Sequence, residues 1–270
     1  MTFRHFFTLC LLWSTALGLL GCGGGSDAKN TGNADGSSAT SPVQAGVYFD
    51  GSSGHEFWGV ITPTNRWYGL NYKTAYPDIY SGDVSNSDPL HAAVSTLKFQ
   101  TTTNTFLPGT ASFTSSGSGK LYGTLSVNTQ SSIPVVFNAA TPSGFVYNQA
   151  ADLNAIAGNW TGKLSSNRGE FDGFSINITA TANSATLSRT DFDSCHWSAS
   201  NTALTRIPGV NLFALTLQMD YSTSCNTDLD GKALTGAAFI TTVPGGGSSL
   251  RLIWVATTSD GHAISFKADR

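Results

Sequence analysis

The side chains of this chain that could do chemistry are few and scattered. Five histidines and four cysteines occur in 270 residues, and glutamate stands only at Glu56 and Glu170. His55, His91, His196 and His262 fall in separate segments, and no G-x-S-x-G, H-E-x-x-H or glycine-rich phosphate loop brings a nucleophile, base or phosphate cradle together. The stretch "GSSGH", Gly51 to His55, reads as a loop despite its serines and histidine. A glycosidase needs two carboxylates flanking one bond, and Glu56 and Glu170 lie in different halves. The expectation is a non-enzymatic protein with no catalytic residue and no cofactor. A hydrolase would require a site assembled in space from distant segments.

Two constellations could instead hold a ligand. In "NTDLDGKALTGA", Asn226, Asp228, Asp230 and Gly231 take the first, third, fifth and sixth places of a calcium loop. The twelfth place is Ala237 where calcium wants a bidentate glutamate, so this metal site is weak and an ordinary Asp/Gly turn is the stronger reading. The second is aromatic. Trp58 and Trp67, with Tyr72, Tyr76, Asp78 and Tyr80 close by in "YKTAYPDIYSG", could stack on sugar rings and hydrogen-bond their hydroxyls, forming a platform for a glycan or protein. Against this, paired tryptophans also serve as large buried bodies in small cores.

The elements that must position these residues are strands. Short runs of β-branched and aromatic residues alternate with Gly, Asn, Asp and Ser clusters, and only "QAADLNAIAG" hints at helix. The chain is all-β. A break at Asn138 to Asp152, punctuated by Pro142 and Gly144, divides it into two small antiparallel β-barrel or β-sandwich modules in tandem, 45–141 and 153–270. The modules open alike, with "AGVYFDGSS" at Ala45 and "AGNWTGKLSS" at Ala157, as a distant duplication would.

Two hairpins give a register. In "EFWGVITPTNRWYGLNY" a Pro63-Thr64 turn pairs Ile61 with Arg66 and sets Phe57, Gly59, Ile61, Tyr68, Leu70 and Tyr72 on the core face. Trp58, Val60, Trp67 and Gly69 then share the more polar face with Glu56 and Asn71. An Asp260-Gly261 turn joins "LRLIWVATT" to "HAISFKADR", opposing Val255 to Phe266 and Trp254 to Lys267. This strand is apolar on both faces, so one face should be covered by a neighbouring sheet or module.

The N-terminus fixes the compartment. Arg4 and His5 precede an apolar run from Phe6 to Leu20, too short for a membrane span. Leu19-Leu20-Gly21-Cys22 then resembles the lipobox of bacterial lipoproteins. That resemblance implies a signal peptide over 1–21, cleavage before Cys22, and acylation of its thiol. Anchoring by several acyl chains is effectively permanent, since each buried methylene contributes about 0.8 kcal/mol. Gly23, rather than Asp, implies sorting to the outer membrane. Residues 22–44 then form a flexible linker with almost nothing to bury. With Cys10 lost and Cys22 acylated, Cys195 and Cys225 remain as a pair in an oxidising compartment and are expected to be joined. A metal site would need more ligands than Cys195, His196 and Cys225, and a redox pair would more often show C-x-x-C spacing.

A short helix followed by the G-x-W of "AGNWTG" and a meander of strands resembles lipocalin-type exported barrels, in which the tryptophan plugs one end. With "CHWSASNTALTRIPGVNLFALTLQMDYSTSC" and "LTGAAF", the second half is similar to uncharacterised Gram-negative lipoproteins. The resemblance implies a fold and a compartment without supplying catalytic residues. The first module departs from it, having Tyr48 in place of the tryptophan.

A formal charge of −3 and only 11% charged residues, against an average near ~25%, make nucleic acid an unsuitable partner. The sequence therefore points to an outer-membrane lipoprotein on a flexible leash, contacting the membrane through its N-terminal lipid. Its expected work is binding a glycan or an envelope protein, or serving as an assembly partner in an envelope complex.

Overall fold

The computed structural model describes residues 43–51, 56–72, 78–88, 91–100, 105–115, 120–127, 133–139, 145–166, 169–189, 197–221 and 229–270. Eight strands come first: β1 (Gly46–Asp50), β2 (Phe57–Ile61), β3 (Arg66–Asn71), β4 (Asp78–Asp88), β5 (His91–Gln100), β6 (Thr105–Ser115), β7 (Lys120–Val127) and β8 (Ile133–Ala139). A one-turn helix, α1 (Leu153–Ile156), follows. Eight more strands complete the chain: β9 (Gly158–Ser166), β10 (Gly169–Ala180), β11 (Ser184–Arg189), β12 (Trp197–Arg206), β13 (Phe213–Tyr221), β14 (Ala233–Thr242), β15 (Leu250–Thr257) and β16 (Ala263–Asp269). The chain is all-β, as its alternation dictates. In β13, Phe213, Leu215, Leu217 and Met219 are buried while Ala214 and Thr216 face outward, the period of two that a half-buried strand requires.

Each set of eight strands is antiparallel, pairs in chain order and closes on itself. β1 meets β8 at Tyr48↔Ala139 and Phe49↔Asn138. In the second set β16 pairs with β9 from Ser265↔Ser165 to Asp269↔Thr161. Eight strands leave an interior just wide enough for side chains to fill, and aromatics fill both. Trp67 lies 5.3 Å from Phe113 and 6.1 Å from Tyr80 in the first barrel. Trp254 stacks on Phe266 at 5.7 Å in the second. All described residues belong to one compact unit, and among them no helix is long and apolar enough to cross a membrane.

The two barrels begin in the same way. Asp152 caps α1, its carboxylate accepting the Asn154 amide, and Leu153 and Ile156 are buried. The Trp160 indole donates to the Ile156 carbonyl at 2.8 Å. Arg270 closes this end, donating to the Ala157 and Ala155 carbonyls at 2.6 and 2.8 Å with its guanidinium 4.2 Å above the Trp160 ring. In the first barrel Tyr48 holds the position of Trp160, two residues after a glycine, and its hydroxyl donates to the Gln44 carbonyl at 2.6 Å. Each aromatic thus ties its first strand to the carbonyl four residues before it.

Both hairpin registers differ from the sequence expectation by one residue, for the same reason. The β2–β3 loop is Pro63-Thr64-Asn65, with Asn65 in the left-handed region at φ 60°. Ile61 consequently pairs with Trp67, and Trp58 with Leu70. The β15–β16 loop is Ser259-Asp260-Gly261, with Gly261 at φ 97°, and Trp254 opposes Phe266 while Val255 opposes Ser265. A third loop residue in the left-handed region follows a type I turn and shifts pairing by one place, which flips every side chain beyond it to the other face. Phe57, Ile61, Trp67 and Tyr80 therefore point into the first barrel, and Trp58, Val60, Tyr68 and Leu70 point out of it.

Candidate functional site

The outer face of β2 and β3 is buried because the second barrel covers it. Val47, Trp58, Val60 and Leu70 form one apolar cluster with Ala237, Phe239, Ile253 and Val255 from the outer face of β14 and β15. The Trp58 and Phe239 ring centroids lie 5.5 Å apart, and Phe145, from the segment between the barrels, meets Phe239 edge-on at 5.9 Å. The doubly apolar β15 is explained: Leu252, Trp254 and Ala256 fill its own barrel, while Ile253 and Val255 pack on the first. Gly236 of β14 lets the sheet close tightly here, since a Cβ at that position would stand 1.8 Å from the Val255 carbonyl oxygen.

Ions seal one end of this layer. Glu56 accepts from Arg251 Nη1 at 2.6 Å, from Lys267 Nζ at 3.0 Å and from the Trp58 indole at 2.9 Å. The remaining donors of Arg251 reach both oxygens of Asp269, at 2.6 and 2.7 Å, in a fork of the kind that makes arginine pairs strong. Lys267 also sits 3.9 Å over the Tyr72 ring. Burial works against the Arg251 charge, but Asp269 and Glu56 outweigh it and hold its pKa above the ordinary value.

The other end of the layer opens into a cleft of about 920 Å³. Two turns of identical construction meet there. Thr62 N–H donates to the Arg66 carbonyl at 2.9 Å, and Thr258 N–H donates to the His262 carbonyl at 2.9 Å. The threonine hydroxyls then accept the amides of Arg66 at 3.1 Å and His262 at 2.8 Å. Asp83 stands directly across from Arg66 on β4, so the two charges meet: Arg66 Nη1 lies 3.1 Å from Asp83 Oδ1 and Nη2 lies 3.4 Å from Ser81 Oγ. Tyr68 lies beneath, its ring 5.8 Å from the guanidinium carbon. Burial pushes the Tyr68 phenol above its usual pKa, while Arg66 and the Thr257 hydroxyl pull the other way. Thr235 and Ile207 contribute from the second barrel, Pro63 and Pro108 from the first.

The aromatic platform expected from the sequence is not present as an exposed surface. Trp58 and Trp67 are each 1% exposed and lie on opposite faces of the hairpin, one between the barrels and one inside the first. Tyr80 is fully buried in that interior, 3.4 Å from Asp78 Oδ2. Tyr72 lies against Lys267 at the sealed end of the layer. The register shift separates the indoles, and the covering barrel takes the face that was read as polar. Tyr76, Cys22, Cys195, Cys225, Asn226 and Asp228 lie outside the described residues; Asp230 is exposed in the turn before β14. Among the described residues no group of His, Cys, Asp and Glu is placed to hold a metal ion.

The cleft itself was not read from the sequence. Its signals were present in the doubly apolar "LRLIWV" and in the matching T-P-T-N-R and T-S-D-G-H turns, but what brings them together is the docking of two sheets. The chain matches no protein-family model, no curated protein and no solved structure.

Proposed function

We propose that this chain is an exported, lipid-anchored binding protein of the bacterial outer membrane, and that the cleft between its barrels receives the ligand. Cys22 is the acylated residue and the stretch that follows it is the leash, which ends before Val43 and Gln44, since Val43 packs in the first core and the Gln44 carbonyl accepts from Tyr48; 45–141 and 153–270 are two modules that work as one body. A disulfide between Cys195 and Cys225 fits the oxidising compartment this reading requires. The observation that carries the binding role is where open space lies. Aromatics fill the described barrel interiors, and a concavity lined by both barrels opens at their seam. The described residues lining it bring hydroxyls, Arg66 and Asp83, while His262 of the second turn stands beside Asp260 outside that lining, an arrangement that favours binding.

Metabolic labelling with an alkyne fatty acid tests the anchor: the mature protein takes the label and Cys22→Ser does not. Recovery of envelope components on the full chain tests the cleft. Thr235→Trp, which fills it from an exposed strand position, abolishes capture if the reading is right and leaves it intact if it is wrong. A second reading, as an assembly partner of an envelope complex, is favoured by Tyr122 and Val136. They pair across β7 and β8 and stand 45% and 41% exposed on the outer face of the first barrel. In that case Tyr122→Ser, rather than Thr235→Trp, removes the captured partner.

A further inference from the structure

The chemistry of the cleft walls narrows what can occupy it. Among the described residues, the charges lining it are Arg66 and Asp83, which pair at 3.1 Å. The pair is open to water, with the Asp83 side chain 82% exposed, so what it offers a ligand is hydrogen bonding at a site of balanced charge rather than a strong ionic contact. The remaining polar groups are mostly hydroxyls: Thr64, Ser81, Thr235, Thr257 and Ser259 each bring an oxygen able to donate and accept. Arg66 Nη1 meets Asp83 and Nη2 meets Ser81, so donors stand beside acceptors, a pattern that two neighbouring hydroxyls of a ligand can satisfy together. Between these groups stand apolar surfaces of Pro63, Pro108 and Ile207, against which the C–H faces of a ring can pack. A volume of about 920 Å³ falls in the range of small-molecule sites, roughly 300–1,000 Å³.

We infer that the cleft binds a short neutral saccharide, with the Arg66–Asp83 pair bridging adjacent ring hydroxyls and the prolines packing on its C–H face. This rests on the reading of the cleft as the binding site and adds the ligand's chemical class. Both barrels supply part of the site, Thr235, Thr257 and Ser259 from one wall and Arg66, Asp83 and Ser81 from the other, so neither barrel alone is complete.

Titration calorimetry tests this on the full chain in lauryldimethylamine oxide micelles, whose head group carries no sugar. The neutral probes are maltotriose, cellotriose and triacetylchitotriose, and the charged probes are trigalacturonate and deacetylated chitotriose. At least one neutral trisaccharide binds, and Arg66→Ala and Thr235→Trp each weaken it at least tenfold. Asp83→Asn, which keeps the shape and removes the acceptor charge, weakens it less, and Tyr122→Ser leaves it within twofold. Thermal melts of the same variants show that the losses are not unfolding. Binding of none of the neutral probes, or binding that Arg66→Ala and Thr235→Trp leave within twofold, overturns the inference. Preference for a charged probe with the same sensitivity to Thr235→Trp overturns the saccharide class while leaving the cleft as a binding site. Envelope capture unaffected by Thr235→Trp removes the cleft reading itself.

Discussion

Trp58 and Trp67 are nine residues apart and equally buried, yet they hold different things together. Trp67 contacts Phe113 and Tyr80 inside the first barrel, whereas Trp58 bridges to Phe239 of the second and donates to Glu56. Truncating a buried aromatic costs about 3–5 kcal/mol, so Trp67→Ala and Trp58→Ala lower stability by similar amounts in denaturant titrations. Near-ultraviolet dichroism and exchange then separate them, Trp67→Ala loosening the first barrel and Trp58→Ala the seam. Glu56 joins the barrels through two donors of the second, Arg251 and Lys267, and also accepts from Trp58 of its own; Glu56→Gln keeps the shape but removes the charge that Arg251 and Lys267 face. Hydrogen bonds to charged groups contribute about 1.5–3 kcal/mol, and partial exposure puts the expected loss toward the lower end, read from the denaturant midpoint. Tyrosines set an alkaline limit. Burial pushes Tyr48 and Tyr147 up to about 12, and the charge of Tyr147 adds to the effect on Tyr48. The folded state therefore keeps protons that the unfolded chain releases above about pH 10. That stabilisation is complete below pH ~10 and is lost as pH rises toward ~12, so the melting temperature is flat to about pH 9 and then falls. In Tyr48→Phe the fall is shallower.

At the scale of elements, strand identity was legible from alternation and register was not. The hydrophobic period marks where a strand runs, but which residue faces inward beyond a hairpin depends on loop length. Here loop length depends on Asn65 and Gly261, each the third loop residue and each at positive φ. Asn65 tolerates that region better than most side chains; a β-branched residue does not, and Asn65→Val costs about 1–2 kcal/mol in a denaturant titration, with Asn65→Gly near neutral. The short helix was foreshadowed by "QAADLNAIAG", and the end-closing role of Trp160 by the G-x-W that follows it. The sequence set Tyr48 in the place of that tryptophan, but the bond from its hydroxyl to the Gln44 carbonyl came from the structure. Both barrels close by strand pairing. Among the described residues β1 meets β8 at Tyr48↔Ala139 and Phe49↔Asn138, and β16 meets β9 from Ser265↔Ser165 through Asp269↔Thr161. Amides bonded across both closures are expected to exchange with deuterium more slowly than those of the exposed turns; unprotected amides at either closure would contradict it.

At the largest scale the described residues are organised around the layer between the barrels, sealed by Glu56, Arg251 and Lys267 at one end and open as a cleft at the other. Sequence reasoning reached only half of this. The doubly apolar β15 demanded a cover, but no local pattern states which surface supplies it, and a one-residue error in register concealed that the cover is the face carrying Trp58. The cleft is a product of that docking and has no existence in either barrel alone. Scanning calorimetry of the full chain beside Trp58→Ala tests the arrangement most directly. One cooperative transition is expected for the unaltered protein, resolving into two when Trp58 is removed and the barrels lose their common layer. Two well-separated transitions in the unaltered protein, unchanged by Trp58→Ala, would contradict it.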